Sequence, residues 1–249
     1  MCSVEKGYIE ICAISKSFDP DREIVNIESL SIAKSEFFCI LGPSGCGKST
    51  LLDLISGSLS PDSGSIFVGG RPVAGPVLSC VQVYQDYGLY PWRTVRKNVE
   101  FGLEIQGISS SEIEVRVQQY IELVGLQDYQ EFYPEELSGG MRQRVALARA
   151  LAVEPDILLM DEPFAALDSI TRMRLQKDVE EIWMSTNKTI VWVTHNIDEA
   201  ISLGDSIAVM EPMPGRIREV FRNNRSRPRD QTGRSHVELK GSVMKCLGL

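Results

Sequence analysis

Residues 42–50, GPSGCGKST, follow the spacing G-x-x-x-x-G-K-[ST], in which each residue type has a task in holding phosphate. Gly42, Gly45 and Gly47 let the backbone wrap closely, so that successive N–H groups and a helix N-terminus face an anion. Lys48 is placed to reach β and γ phosphates and the Ser49 hydroxyl to ligate Mg²⁺, with Pro43, Ser44, Cys46 and Thr50 completing the cradle. A phosphate loop needs a second carboxylate from a neighbouring strand. The run ILLMDEP at 157–163 supplies it: four apolar residues deliver Asp161 to a strand end as the expected Mg²⁺ partner. Glu162, next in line, is the candidate to polarise an attacking water. Adjacent carboxylates repel, and a bound cation relieves that cost. The chemistry indicated is hydrolysis or transfer of a nucleotide γ-phosphoryl group.

The elements around these residues agree with it. The fully apolar run FFCIL at 37–41 reads as a buried central strand delivering the glycine loop, and STLLDLISG from Ser49 has helical spacing ending at Gly57. Short strands are expected at 9–14 and 24–32, separated by a polar loop with Pro20, and a hairpin strand at 63–73. Residues 95–126 turn helical, with Ser111 and Glu114 as a capping box. A helix at 140–152, a strand at 157–160, a long helix capped by Asp168, and strands at 189–193 and 206–210 follow. Strands alternating with helices indicate a mostly parallel sheet with an inserted helical stretch.

The chain has 249 residues, 43% of them hydrophobic and 24% charged, with 26 basic and 34 acidic side chains and a net charge of −8. Apolar runs are too short to span a bilayer and no signal segment is visible, so a cytoplasmic chain is expected. Six cysteines lie scattered, without metal or disulfide spacing, as reduced thiols do. Between Arg216 and Arg234 seven arginines meet two acids, a local +5 that leaves −13 elsewhere. That stretch reads as a solvated tail, or as one facing a partner or anionic lipid. The acidic remainder argues against nucleic-acid binding.

LSGGMRQR at 137–144 decides between hydrolysis and transfer. With RQRVALARAL it resembles the signature motif of ABC-type ATPases, whose motif order the chain follows almost end to end. The resemblance implies an α/β fold: a P-loop NTPase core, its mostly parallel sheet accompanied by antiparallel strands on the N-terminal side, with an inserted α-helical subdomain. It makes residues 1–249 one ATP-binding domain, with the core at about 1–85 and 155–220, the helical subdomain at about 86–154 and a basic tail at about 221–249. In the family two such domains pair head to tail, each signature closing over the ATP of the other. Ser138, Gly139 and Gly140 would supply that contact, and the expected partner is a second copy. Gln85 resembles the glutamine that touches metal and water, and His195 the switch histidine at the γ-phosphate. Residues 165–168 resemble the loop crossing to the partner. Phe18 stands at the adenine-stacking position, with Tyr8 on the same segment as a competitor. Plain alternatives exist: a loop amide for Gln85, a helix cap for His195, a core aromatic for Phe18. The family's glycine before the glutamate at Glu36 is Ser35 here, tolerable if its φ stays negative.

A chain of this length without membrane spans resembles the separate ATPase subunit of an importer. LYPWRTVRKNVEFGLEIQG at 89–107, PMPGRI and RPRD resemble the nitrate, sulfonate and taurine group. The resemblance implies ATP and Mg²⁺ as cofactors, membrane-spanning permease subunits, an external solute-binding protein, and a place on the cytoplasmic side of the membrane. Tyr90, Pro91 and Trp92 would form the groove for a short permease helix. Cys46, near a helix N-terminus, is expected to have a lowered thiol pKa and to be open to alkylation that ATP blocks. A non-transport ABC ATPase and a small-molecule kinase are the rival readings.

Overall fold

The computed structural model describes residues 7–19, 22–164, 169–229 and 233–249. The chain runs β1 (Ile9–Asp19), β2 (Arg22–Ile32), β3 (Phe37–Leu41), α1 (Lys48–Ser56), β4 (Ser63–Val68), β5 (Arg71–Pro72) and β6 (Cys80–Val83). The helices α2 (Val95–Ile105), α3 (Ser110–Leu123) and α4 (Gly139–Ala152) follow. It then alternates through β7 (Ile157–Asp161), α5 (Ser169–Thr186), β8 (Thr189–Thr194), α6 (Ile197–Leu203) and β9 (Ser206–Glu211), ending in β10 (Arg216–Arg222) and α7 (Arg234–Leu247).

The apolar runs form the middle of a six-stranded sheet, order β10-β9-β3-β8-β7-β6, parallel except for β10. All residues of β3 and β8 are buried because both sheet faces are covered, and strand alternation divides them between two cores. Phe37, Cys39 and Leu41 face the core closed by α5, α6 and the helical insertion. Phe38 and Ile40 face the other, where α1 packs beneath the antiparallel sheet β2-β1-β4-β5. The parallel register brings the C-terminal ends of β3, β7 and β8 side by side, Leu41 opposite Thr194 and Asp161 opposite Val193. Loops leaving those ends therefore converge. No helix among the described residues is long and apolar enough to cross a membrane.

Three expectations are corrected. The helical stretch 95–126 is two helices, broken at Gly107 (φ 70°) and restarted with Ser109, not Ser111, accepting from the Glu112 amide. Ser35 has φ 59°, not a negative value; its amide donates to Thr189 Oγ1 at 3.0 Å and its hydroxyl to the Asn187 carbonyl at 2.7 Å, bonds that hold a serine where glycine would be at ease. The segment after residue 220 is not a solvated tail. It completes β10, carries Arg222, Arg225, Arg227 and Arg229 bonded into the body of the protein and ends in the 14-residue α7. The Asp168 cap lies outside the described residues.

Candidate active site

Close backbone approaches shape the phosphate loop at the end of β3. A Cβ on Gly42 would stand 2.5 Å from the Met210 carbonyl oxygen. Gly47 has φ 95°, and a Cβ there would meet Val25 Cγ2 at 2.9 Å, so both backbone angle and space demand glycine. α1 starts directly after it with no side-chain cap. Beside the loop opens a cleft of about 360 Å³ lined by Ser44, Gly45 and residues 47–50, with Gln85, Asp161 and Glu162 opposite. Ile24 of β2 also lines it, a residue no motif marks.

The buried Lys48 ammonium donates to the carbonyls of Gly42 and Pro43, each at 2.9 Å, and lies 3.3 Å from Glu162 Oε1. Glu162 Oε2 in turn is 2.8 Å from His195 Nδ1. Glu162 follows β7 with φ 42°, an uncommon angle for a non-glycine residue that turns its carboxylate back between Lys48 and His195. The helix cap after β8 is Asn196, whose side chain accepts from the Glu199 amide, so the cap alternative falls to the neighbour and leaves the His195 ring paired with Glu162.

Asp161 ends β7 and lines the cleft together with the Ser49 hydroxyl. Burial, reinforced by the Glu162 charge, lifts its carboxyl above the usual value against the opposing effects of Ser49 and Lys48. A hydroxyl and a desolvated carboxylate side by side are hard oxygen donors of the kind Mg²⁺ takes, and a cation there would offset the desolvation. The residues present fit the metal.

Other expected residues stand at varied distances from this centre. Phe18 is 63% exposed at the end of β1, beside the β2 end that touches the loop. Tyr8 precedes the opposite end of β1, roughly 30 Å away by strand rise, and faces a different cleft with Asp156. Competition between them for one ring-stacking site is thereby removed. Ser138, Gly139 and Gly140 begin α4, Ser138 capping it through the Met141 amide, and none of them lines the cleft. The crossing loop 165–168 lies outside the described residues. The Cys46 expectation is overturned: the residue is 1% exposed, and burial pushes its thiol pKa up, outweighing the Lys48 charge and the amides of Lys48 and Cys46. A helix N-terminus lowers a thiol pKa only where the sulfur is also open to solvent or strongly paired.

Sequence reasoning missed Arg149 on α4. Its guanidinium donates to the carbonyls of Tyr87 (2.8 Å) and Gly88 (2.6 Å) and lies 5.6 Å over the Tyr90 ring, tying the signature helix to the loop after Gln85. An arginine inside an apolar helix run was the only available sign. Tyr90 also packs on Phe101 at 4.5 Å and on Trp92 at 5.7 Å, and Trp92 is 72% exposed.

The family model described as ABC transporter matches residues 25–165. The chain belongs to the ABC transporter family. This ABC protein is an ATP-binding ATPase with the P-loop NTPase fold of the ATP-binding cassettes. It is 48% identical over 208 residues to the taurine import ATP-binding protein TauB of Pseudomonas aeruginosa, covering 82% of this chain and 79% of that one. It is 46% identical over 219 residues to an uncharacterized ABC transporter ATP-binding protein of Methanocaldococcus jannaschii, covering 88% and 82%. Among solved structures, cbiO1 of Clostridium perfringens, part of the cbiONQ transporter complex, matches with a TM-score of 0.82 at 27% identity over 96% of both chains. The dimeric cassette MJ0796, in a post-hydrolysis state bound to ADP and Pi, matches with a TM-score of 0.76 at 29% identity, covering 88% of this chain and 100% of that one.

Proposed function

We propose that this chain is the ATP-hydrolysing subunit of an importer that energises uptake of a small anion such as nitrate, a sulfonate or taurine, and that it works as a homodimer on the cytoplasmic face of permease subunits served by an external solute-binding protein. The observation that carries the catalytic part is that Lys48, Ser49, Asp161 and Glu162 line one cleft and that Glu162 contacts both Lys48 and, at the edge of that cleft, His195. The importer part is supported by TauB among the relatives.

In this reading ATP is the substrate, Phe18 stacks on its base, and the loop 42–50 holds its phosphates. Lys48 leaves the Gly42 and Pro43 carbonyls for the β and γ phosphates, which replace Glu162 as its counter-charge. Released from Lys48, Glu162 accepts a hydrogen bond from water and aligns it for in-line attack on the γ-phosphorus. A new P–O bond forms as the bond to the β-phosphate oxygen breaks, giving ADP and phosphate. His195 holds Glu162 through Oε2 and faces the γ-phosphoryl oxygens. Mg²⁺, when bound by Ser49, Asp161 and Gln85, supplies charge neutralisation at the β and γ oxygens. Ser138, Gly139 and Gly140 of the second copy close the site, presenting a hydroxyl and the first amides of α4. Tyr90, Pro91 and Trp92 receive a short permease helix, and domain opening after hydrolysis resets the permease.

Glu162→Gln tests this directly. The variant should bind Mg²⁺-ATP as the natural chain does while turnover falls by about 10²- to 10⁴-fold, the usual contribution of a positioned general base. Natural turnover in that variant would remove Glu162 from the role.

A further inference from the structure

Arg227 and Arg229 of the RPRD motif and Arg225 before it do not line the ATP cleft, yet their guanidinium groups converge on one small element. α6 is seven residues long and starts two positions after His195. The last carbonyls of a helix have no partners within it. Here Arg225 Nη2 donates to Ile201 O at 2.9 Å, Arg229 Nη1 to Ser202 O at 2.9 Å and Arg227 Nη2 to Leu203 O. The buried Asn223 amide adds Ile201 O at 2.8 Å and Gly204 O at 2.9 Å. Guanidinium groups at this end also meet the negative pole of the helix.

Their mutual repulsion is managed. Asp205 Oδ1 accepts from Arg227 at 2.7 Å and from Arg229 at 2.6 Å, Glu180 of α5 pairs with Arg227, and the Arg227 guanidinium lies 4.4 Å over the Trp183 ring. At the other end of α6, Glu199 accepts from Thr194 and from Gln176, and Lys240 of α7 pairs with Asp198 at 2.6 Å. The segment after β10 thus grips α6 near both ends. The His195 side chain, by contrast, is 54% exposed and is hydrogen-bonded to Glu162, so its place is set by the backbone on either side of it. A seven-residue helix about 10 Å long, with Ala200, Ile201 and Leu203 buried, shifts as one piece, and a displacement at Leu203 is felt at residue 195.

We propose that Arg225, Arg227 and Arg229 are positioning residues for ATP hydrolysis: by holding the carbonyl end of α6 they fix His195 against Glu162. This rests on the role given to His195 above. Lysine would keep the charge but lose the planar fork that reaches a carbonyl and a carboxylate at once.

The test uses the full chain with saturating Mg²⁺-ATP and the variants Arg227→Lys, Arg229→Lys, His195→Ala and the two lysine variants combined with His195→Ala. Each lysine variant should lower kcat about tenfold, as sub-ångström misplacement of a reacting group does, with KM for ATP changed less than about twofold. In the His195→Ala background the same changes should remove less than a further twofold, about 0.4 kcal/mol. The chain has two histidines, so ring NMR signals are assigned by His195→Ala, and each lysine variant should move the His195 signal. Circular dichroism reports folding, and Arg225→Lys, which perturbs the Ile201 carbonyl contact together with the contacts to Asn223 and His236, replaces any variant that does not fold. Unchanged kcat with an unmoved His195 signal, or equal losses with and without His195, would overturn the proposal. Natural turnover in His195→Ala would instead refute the reading of His195 on which it rests.

Discussion

The phosphate-loop half of the molecule and the signature half are built by different means. Asp161 ends β7, Glu162 and His195 stand just past β7 and β8, Lys48 opens α1 after the loop that leaves β3, these strands are buried on both faces, and Glu162 already contacts both Lys48 and His195. Ser138 and Gly139 stand at the start of α4 in the helical insertion, exposed or half-exposed, and touch no part of that cleft. One half is held rigid by the central sheet. The other is joined to it through loops, among them the one Arg149 grips at Tyr87 and Gly88. Strand ends suit chemistry that needs fixed geometry, whereas a helix start carried on a peripheral subdomain suits closing over a ligand held by another chain.

Substitutions can break or sharpen this contrast. Lys48→Met should have the largest effect, cutting ATP affinity at least about 100-fold, about 3 kcal/mol, in calorimetric titration, because its charge-assisted bonds have no substitute. Trp92→Ala should leave folding and basal hydrolysis intact while costing about 2 kcal/mol in permease association, as loss of an exposed aromatic anchor does, measured by co-purification with the permease subunits. Arg149→Met should reduce stability by about 2 kcal/mol in urea unfolding, since two bonds to a charged, partly buried guanidinium are lost, with ATP affinity changing less than about twofold. If Arg149→Met instead lowered affinity as Lys48→Met does, the two halves would not be separable.

What could be read from residue order alone follows the same division. The strand-borne half was legible because β3, β7 and β8 read as apolar runs, and because a phosphate loop sets glycine, lysine and a hydroxyl residue at fixed spacing. Less legible was anything fixed by contacts distant in sequence. Ser35 takes φ 59° because Thr189 and Asn187 hold it, and Cys46 is sealed by packing that no local rule reports. The arginines after residue 220 read as a solvated charge run because Asp205, Glu180 and the carbonyls of α6 that receive them lie 20 to 50 positions earlier. That Phe18 and Tyr8 lie at opposite ends of one strand needed the full length of β1, which runs to Asp19 and not to residue 14. Ile24 and Arg149 carry types common in strands and helices, so only position distinguishes them.

The central claim is that one chain holds half of each site, and mass in solution tests it most directly. Glu162→Gln, whose turnover of bound ATP should be slowed about 10²- to 10⁴-fold, should run at its 27.7 kDa monomer mass without nucleotide and at twice that with Mg²⁺-ATP in sedimentation velocity. Adding Ser138→Arg in the same chain should abolish the doubling while ATP binding persists. A Glu162→Gln chain that stays monomeric with ATP bound, or one that still dimerises on ATP after Ser138→Arg, would contradict the split site.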